Sequence, residues 1–164
     1  MVTLTPIEQA DFERFLESEI REYAQDKVKS GNWLAEEALE KSRAEFFGML
    51  PDGPRTKDQF VFTILDEQTA QKLGVLWVQV KLGEAHRRAF ICDFVIEPQF
   101  RGQGFGKQAL LALDKRLEEM GVENVSLHVF AHNTNAIALY EKMGYVVTNL
   151  YMGKTLRENA SERG

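Results

Sequence analysis

The run Arg101, Gly102, Gln103, Gly104, Phe105, Gly106 is the stretch of this chain whose residue types best fit chemistry on an anion. It joins an apolar, strand-like segment ending at Pro98 to an amphipathic helical segment. Free N–H groups and the dipole at a helix start favour negative charge, and glycine lets the backbone approach it closely. Two common phosphate loops do not fit. GxGxxG would need glycine at 107, where Lys107 stands, and GxxxxGK[ST] would need glycine at 101 and a hydroxyl at 108, where Arg101 and Gln108 stand. On these residues alone, a loop that only turns the chain is the alternative.

Several titratable side chains surround that loop in sequence. His128 lies in the strand-like run VSLHVF, where alternation puts Ser126, His128 and Phe130 on one face, and imidazole titrates in the range a base needs. A base and a hydrogen-bonded strand histidine are both open. Asp93, an acid inside FICDFVI, is a second candidate base or a structural acceptor. Cys92 has no basic neighbour in sequence and reads as a small buried hydrophobe rather than a nucleophile. His86 falls in a charged turn. His132 is four residues from His128, but a strand running into a loop does not give the one-face geometry of a helical metal pair, so no metal site is expected.

These residues need elements to hold them. Thr5, Pro6 and Glu8 look like a helix start, predicting a helix to about Lys29 that the Ser30-Gly31 pair stops. Its stripe is Phe12, Phe15 or Leu16, Glu19 or Ile20, Tyr23 and Val28. Asn32 is placed to cap a second helix ending before Pro51, and residues 51–59 read as a loop. Three strands follow, QFVFTILDE, KLGVLWVQVKL and RAFICDFVIEP, as an antiparallel meander. A helix with Ala109, Leu110, Leu113, Leu117 and Met120 on one face stops at Gly121. The strand at VSLHVF, a helix from about Thr134 to Met143 capped by Asn133, and two strand-like runs in YVVTNLYMGKTL complete the order. The tail RENASERG is polar and expected to fray. This predicts a single α/β (α+β) domain over residues 1–164, with a mixed, mostly antiparallel sheet and helices on it.

Composition bounds the function. With 164 residues, 44% hydrophobic and 27% charged, the chain can bury a core without staples. One cysteine allows no intrachain disulfide, and no leader or membrane-spanning run is apparent, so a cytoplasmic protein is expected. The net charge of -5 argues against a nucleic-acid partner. The first 50 residues hold eleven acids against six bases, and the remainder is balanced. That excess suits a cationic partner, or is the outer face of solvated helices.

Two motifs in order, Arg101-x-x-Gly104-x-Gly106 after a strand, and Asn133, Ala136, Leu139 to Lys142, Gly144 and Tyr145 one strand later, resemble those of the GNAT superfamily of acyl-CoA-dependent N-acetyltransferases. The resemblance covers about residues 60–155. It implies that family's fold, with helices on both sheet faces and acceptor-side helices within residues 1–50. It also implies acetyl-CoA as co-substrate, no metal, an amine acceptor, and a homodimer as a common assembly. The amides of Gly102, Gln103, Gly104, Phe105, Gly106 and Lys107 beside Arg101 would hold the pyrophosphate. The backbone at Val95 and Ile96 would pair with pantetheine, and Asn133 would lie along the same arm as well as capping its helix. Tyr140 falls where similar proteins carry a general-acid tyrosine, or packs its helix on the sheet. His128 falls where several carry a base. An alkyl ammonium must lose a proton before attacking a thioester, and the leaving thiolate benefits from a donor. A phenol with a pKa of about 10 is such a donor at neutral pH. A non-catalytic acyl-CoA sensor is the rival reading.

Overall fold

The computed structural model describes residues 1–156, with the expected frayed tail lying outside them. Val2 and Leu4 are buried while Thr3 and Thr5 are half-buried, and this period of two makes Val2–Pro6 a strand, β1. The helix start predicted at Thr5, Pro6 and Glu8 is thereby corrected. Thr5 and Pro6 lie opposite Thr63 and Phe62 of β2 (Gln59–Asp66), and α1 (Gln9–Lys29) begins after Glu8. Proline is tolerated because β1 is an edge of the sheet. The second helix, α2 (Ala35–Met49), starts after Leu34 rather than Asn32. The Asn32 N–H is spent on the Lys27 carbonyl in the closing turn of α1.

The predicted meander forms as β2, β3 (Lys72–Val80) and β4 (Arg87–Ile96). The chain then makes α3 (Phe105–Glu119), adds β5 (Val122–Leu127) parallel to β4, and turns into α4 (Thr134–Lys142). The order across the sheet is β1-β2-β3-β4-β5, mixed and mostly antiparallel as expected. His128 lies beyond β5 rather than within a strand, because pairing with β4 stops at Leu127 opposite Ile91.

Both sheet faces are covered. Phe12, Phe15 and Ile20 of α1 and Phe46 of α2 pack with Val61 and Trp77 on one face. Leu110, Leu113 and Leu117 of α3 pack with Phe62, Ile64, Leu76 and Val78 on the other. Each such side chain contributes roughly 1.5–3 kcal/mol when fully buried. The buried Ser42 hydroxyl donates to the Ile20 carbonyl at 2.7 Å and fastens α2 to α1. No helix among the described residues is long and apolar enough to cross a membrane.

The two strands expected after α4 do not form within residues 145–156. Strand propensity needs a ladder partner to be realised, and this segment has none in its own chain among the described residues.

Candidate active site

The site begins with an irregularity in β4. Trp77 of β3 pairs with Asp93 and Val78 with Ile91, so Cys92 is an extra residue on β4, a bulge. On its other side β4 pairs with β5 from Arg87 only as far as Ile91. Over residues 92–96 β4 keeps β3 on one side and has no described strand on the other, which opens a notch edged by backbone groups. Val95 and Ile96 lie on this stretch, where an extended ligand chain could pair as a strand does.

The bulge also aims side chains. Ile91 packs on the α3 side, and strict alternation would send Asp93 the same way. The extra residue resets the phase. Phe94 and Ile96 pack on the α3 side, Cys92 and Val95 on the α1 side, and the Asp93 carboxylate meets Glu19 of α1. Burial is the main force raising Glu19, and the neighbouring charge of Asp93, followed by Glu22 and Asp26, raises it further. Glu19 therefore holds a proton at neutral pH and donates it to Asp93. Burial also raises Asp93, against the hydrogen bonds from Glu19 and from the Phe94 N–H at 2.8 Å that stabilise its anion. The result is one proton shared by two carboxyls, with a carboxylate more basic than an exposed one.

Tyr140 projects from α4 into the same neighbourhood, its ring centroid 6.5 Å from Phe94 and 5.6 Å from Tyr145. Burial, then the charge of Asp93, raises its phenol above the usual tyrosine range, so it stays protonated. His128 sits differently. Its ring meets Phe130 edge-on at 4.9 Å, burial and then Lys27 lower its pKa, and no hydrogen bond joins it to Tyr140 or Asp93 among the described residues. His132 stacks on the same Phe130 ring at 5.4 Å and contacts Asp26 through Nε2 at 2.7 Å, so the two histidines do not converge. Burial, then Asp93, pushes the Cys92 thiol up to about 12, which leaves it protonated and unsuited to attack.

Below the notch lies the glycine loop. Gly102 and Gly104 have φ of +73° and +83°, and a Cβ built on either meets nothing within 4 Å. Gly104 is the N-cap residue of α3, so the first-turn N–H groups of Phe105, Gly106 and Lys107 face the loop without helical partners. Gly106 is enclosed instead, with its Cβ position 3.1 Å from Leu139 Cδ2 of α4. Arg101 donates Nε–H to the Ile96 carbonyl at 2.8 Å and ties the loop to the end of the notch. Gln103 donates to the Gln99 carbonyl at 3.0 Å, and Phe105 packs edge-on against Phe100. Lys107 is exposed at the helix start. Asn133 caps α4 as expected, its Oδ1 accepting the Ala136 N–H at 3.4 Å. An open, donor-rich loop continuous with an unpaired strand edge fits a phosphate group carried on an extended amide chain.

Glu19 was not singled out by sequence reasoning. Its signal was a carboxylate in the apolar stripe of α1, between Phe15 and Tyr23. Only its partner on β4 gives that position meaning.

Residues 14–145 match the acetyltransferase (GNAT) family. The uncharacterized N-acetyltransferase YdgE of Bacillus subtilis (strain 168) is 37% identical over 154 residues, covering 94% of this chain and 98% of that protein. The uncharacterized N-acetyltransferase YycN of the same organism is 38% identical over 156 residues, covering 94% and 99%. The crystal structure of YycN superposes with a TM-score of 0.91 at 37% identity, over 96% of this chain and all of that one.

Proposed function

The chain belongs to the acetyltransferase (GNAT) family, and on that premise we propose that it transfers the acetyl group of acetyl-CoA to a primary amine that arrives as an ammonium ion. The observation that carries the reading is the notch. An unpaired length of β4 leads from the glycine loop to the place where Asp93, Glu19 and Tyr140 gather. Bound acetyl-CoA would supply the activated acetyl carbon. The loop amides of residues 102–107 and the Lys107 charge would hold its pyrophosphate, with Arg101 fixing the loop. The β4 edge at Val95 and Ile96 would align its amide arm, with Asn133 nearby.

The remaining chemistry falls to side chains. Asp93 accepts a proton from the ammonium, and the proton on Glu19 keeps the pair at a single negative charge before that transfer. The nitrogen–carbon bond forms and the carbon–sulfur bond breaks. Tyr140 donates its phenolic proton to the departing sulfur and regains one from the second proton that the nitrogen sheds as the amide forms. Backbone N–H groups along the unpaired edge can stabilise charge developing on the acetyl oxygen, worth roughly 2.7–4 kcal/mol per donor in such sites. Glu22 and Asp26 add negative field on the α1 side, which favours a cationic acceptor. The sequence pointed to His128 as base. Its contacts with Phe130 and the Lys27 charge favour Asp93 for that role, with His128 lining the acceptor side. A single cysteine, half-buried, suits work in the reducing cytoplasm.

The test is mass spectrometry of acetyl-CoA incubated with pooled small amines and peptides bearing free N-termini or lysines. Acetylated product with loss of acetyl-CoA is expected. Tight CoA binding by calorimetry with no amine acetylated would overturn the transfer reading in favour of a sensor.

A further inference from the structure

We infer that His132 is a positioning residue for the acceptor side of the site: by gripping Asp26 it clamps the connection between β5 and α4, residues 128–133, onto α1, and so fixes the Phe130 ring and the Asp26 carboxylate where an amine would meet them. What the amine meets rests on the acetyl-transfer reading above, whereas the clamp itself is measurable on the free protein.

The connection has little else to hold it. Beyond Leu127 it belongs to no strand, and within it the Asn133 N–H closes a turn on the Phe130 carbonyl at 2.9 Å. Toward α1 it makes one hydrogen bond among the described residues, between His132 Nε2 and Asp26 Oδ1 at 2.7 Å. A carboxylate only accepts, so the proton belongs to Nε2 of His132. The two side chains are 24% and 40% exposed, which sets this contact apart from a freely solvated pair such as Arg21 with Glu17. The grip carries a ring with it. His132 lies nearly parallel to Phe130, with 13° between planes and 5.4 Å between centroids, and Phe130 leans on Tyr23 of α1 at 6.2 Å. Fixing His132 therefore fixes Phe130 between α1 and His128, whose ring meets it edge-on.

Asp26 matters to the chemistry from where it is held. It follows Glu19 by about two turns along the same face of α1. Burial comes first in raising Glu19 and Asp93, and the Asp26 charge adds to it at both, as does that of Glu22. Lys27 is the adjacent cation, but it makes no ion pair with Asp26 among the described residues, and its ammonium lies 5.1 Å from the Trp33 ring centroid and 5.4 Å from that of Tyr23. Glu45 of α2 accepts from the Tyr23 hydroxyl, and Tyr140 of α4 stays protonated. His132 is thus the side chain that keeps Asp26 turned toward the pair. Released, Asp26 would swing toward water, where its field at the pair is screened. Helix α4 does not depend on the clamp, because Asn133 caps it and Leu139 packs beside Gly106. Tyr140 keeps its place when the clamp is cut.

Three variants separate the grip from the charge. His132→Ala removes the grip, His132→Gln keeps an N–H donor for Asp26, and Asp26→Asn keeps an acceptor for His132 while removing the charge. In the free protein, hydrogen exchange at residues 128–133 should quicken about tenfold or more in His132→Ala and stay near wild type in His132→Gln. A unit charge about 10 Å away in a partly buried site moves an ionisation by roughly 0.5–1 unit. Asp26→Asn removes a negative neighbour, so carbon-13 NMR should show the Glu19 and Asp93 carboxyls titrating lower by that amount, with His132→Ala moving them the same way by less. On the amine that gives most product in the pooled screen, His132→Ala should raise the amine KM about tenfold, with kcat and the acetyl-CoA KM within about twofold of wild type, and His132→Gln should restore it. Unchanged exchange in His132→Ala, an unshifted titration in Asp26→Asn, or a Gln variant as impaired as the Ala variant would overturn the inference. A screen that yields no acetylated amine counts against the transfer reading alone, and exchange and NMR then decide the role of His132.

Discussion

Replacing Glu19 with Gln tests the shared proton directly. An unfolded glutamate ionises near 4.5, whereas in the fold burial and the Asp93 charge hold Glu19 protonated past neutrality. The folded state therefore binds the proton more tightly than the unfolded state. The contribution is favourable below 4.5 and is lost progressively as pH rises from 4.5 toward the folded ionisation. Each pH unit above 4.5 costs about 1.4 kcal/mol, which reaches roughly 3 kcal/mol at pH 7. Glutamine keeps a donor for Asp93 and carries no proton to lose, so Glu19→Gln should be more stable than wild type at pH 7 by up to that amount. For a chain of this length that is a rise in Tm of roughly 6–12 °C. The two proteins should converge near pH 4.5. The assay is thermal and urea unfolding of both proteins at pH 4.5, 6 and 7.5. A difference that does not change with pH, or a variant that loses stability as pH rises in parallel with wild type, would refute the protonated Glu19 and with it the dyad.

The other expectations concern binding and turnover. Gly104→Asp places a carboxylate in open space at the N-cap of α3 but at φ +83°, so calorimetry should show CoA affinity down about 100-fold or more in a folded variant that gives up about 1–3 kcal/mol to backbone strain, while Gly106→Asp should lose stability against Leu139. Unchanged CoA affinity in Gly104→Asp would remove the loop from the site. Tyr140→Phe should lower kcat by about 10²-fold or more and leave KM for acetyl-CoA in place, since only the proton donor goes; wild-type turnover would reduce Tyr140 to packing. Because burial raises Asp93, kcat/KM should climb with pH through an ionisation above the normal carboxylate range. Asp93→Asn should abolish that limb and His128→Gln retain it, and the reverse result would assign the base to His128. Gly74→Ala forces a Cβ to within 1.9 Å of the Val95 carbonyl oxygen, so β4 must shift, with a loss of about 1–3 kcal/mol in urea unfolding and weaker CoA binding; wild-type values for both would show that the notch tolerates displacement.

Sequence by itself determined what local chemistry and periodicity decide. The meander, α3, α4 and the cap at Asn133 follow from period and turn residues, and the loop is legible because glycines at positive φ beside a helix start are a local signature. It failed where a local signal had two meanings. Thr5, Pro6 and Glu8 resemble a helix start, but Val2 and Leu4 alternate into the core and pairing with β2 overrides the cap. Residues 145–156 have strand propensity, yet a strand exists only with a neighbour. Tertiary structure alone decided the chemistry between elements. One extra residue at Cys92 shifts the phase of β4, and that shift brings Asp93 to Glu19, seventy-four residues earlier in the chain. No window of sequence contains both carboxyls. Their pKa shifts arise from burial against each other, a property of where α1 crosses the sheet rather than of either residue's neighbours in the chain.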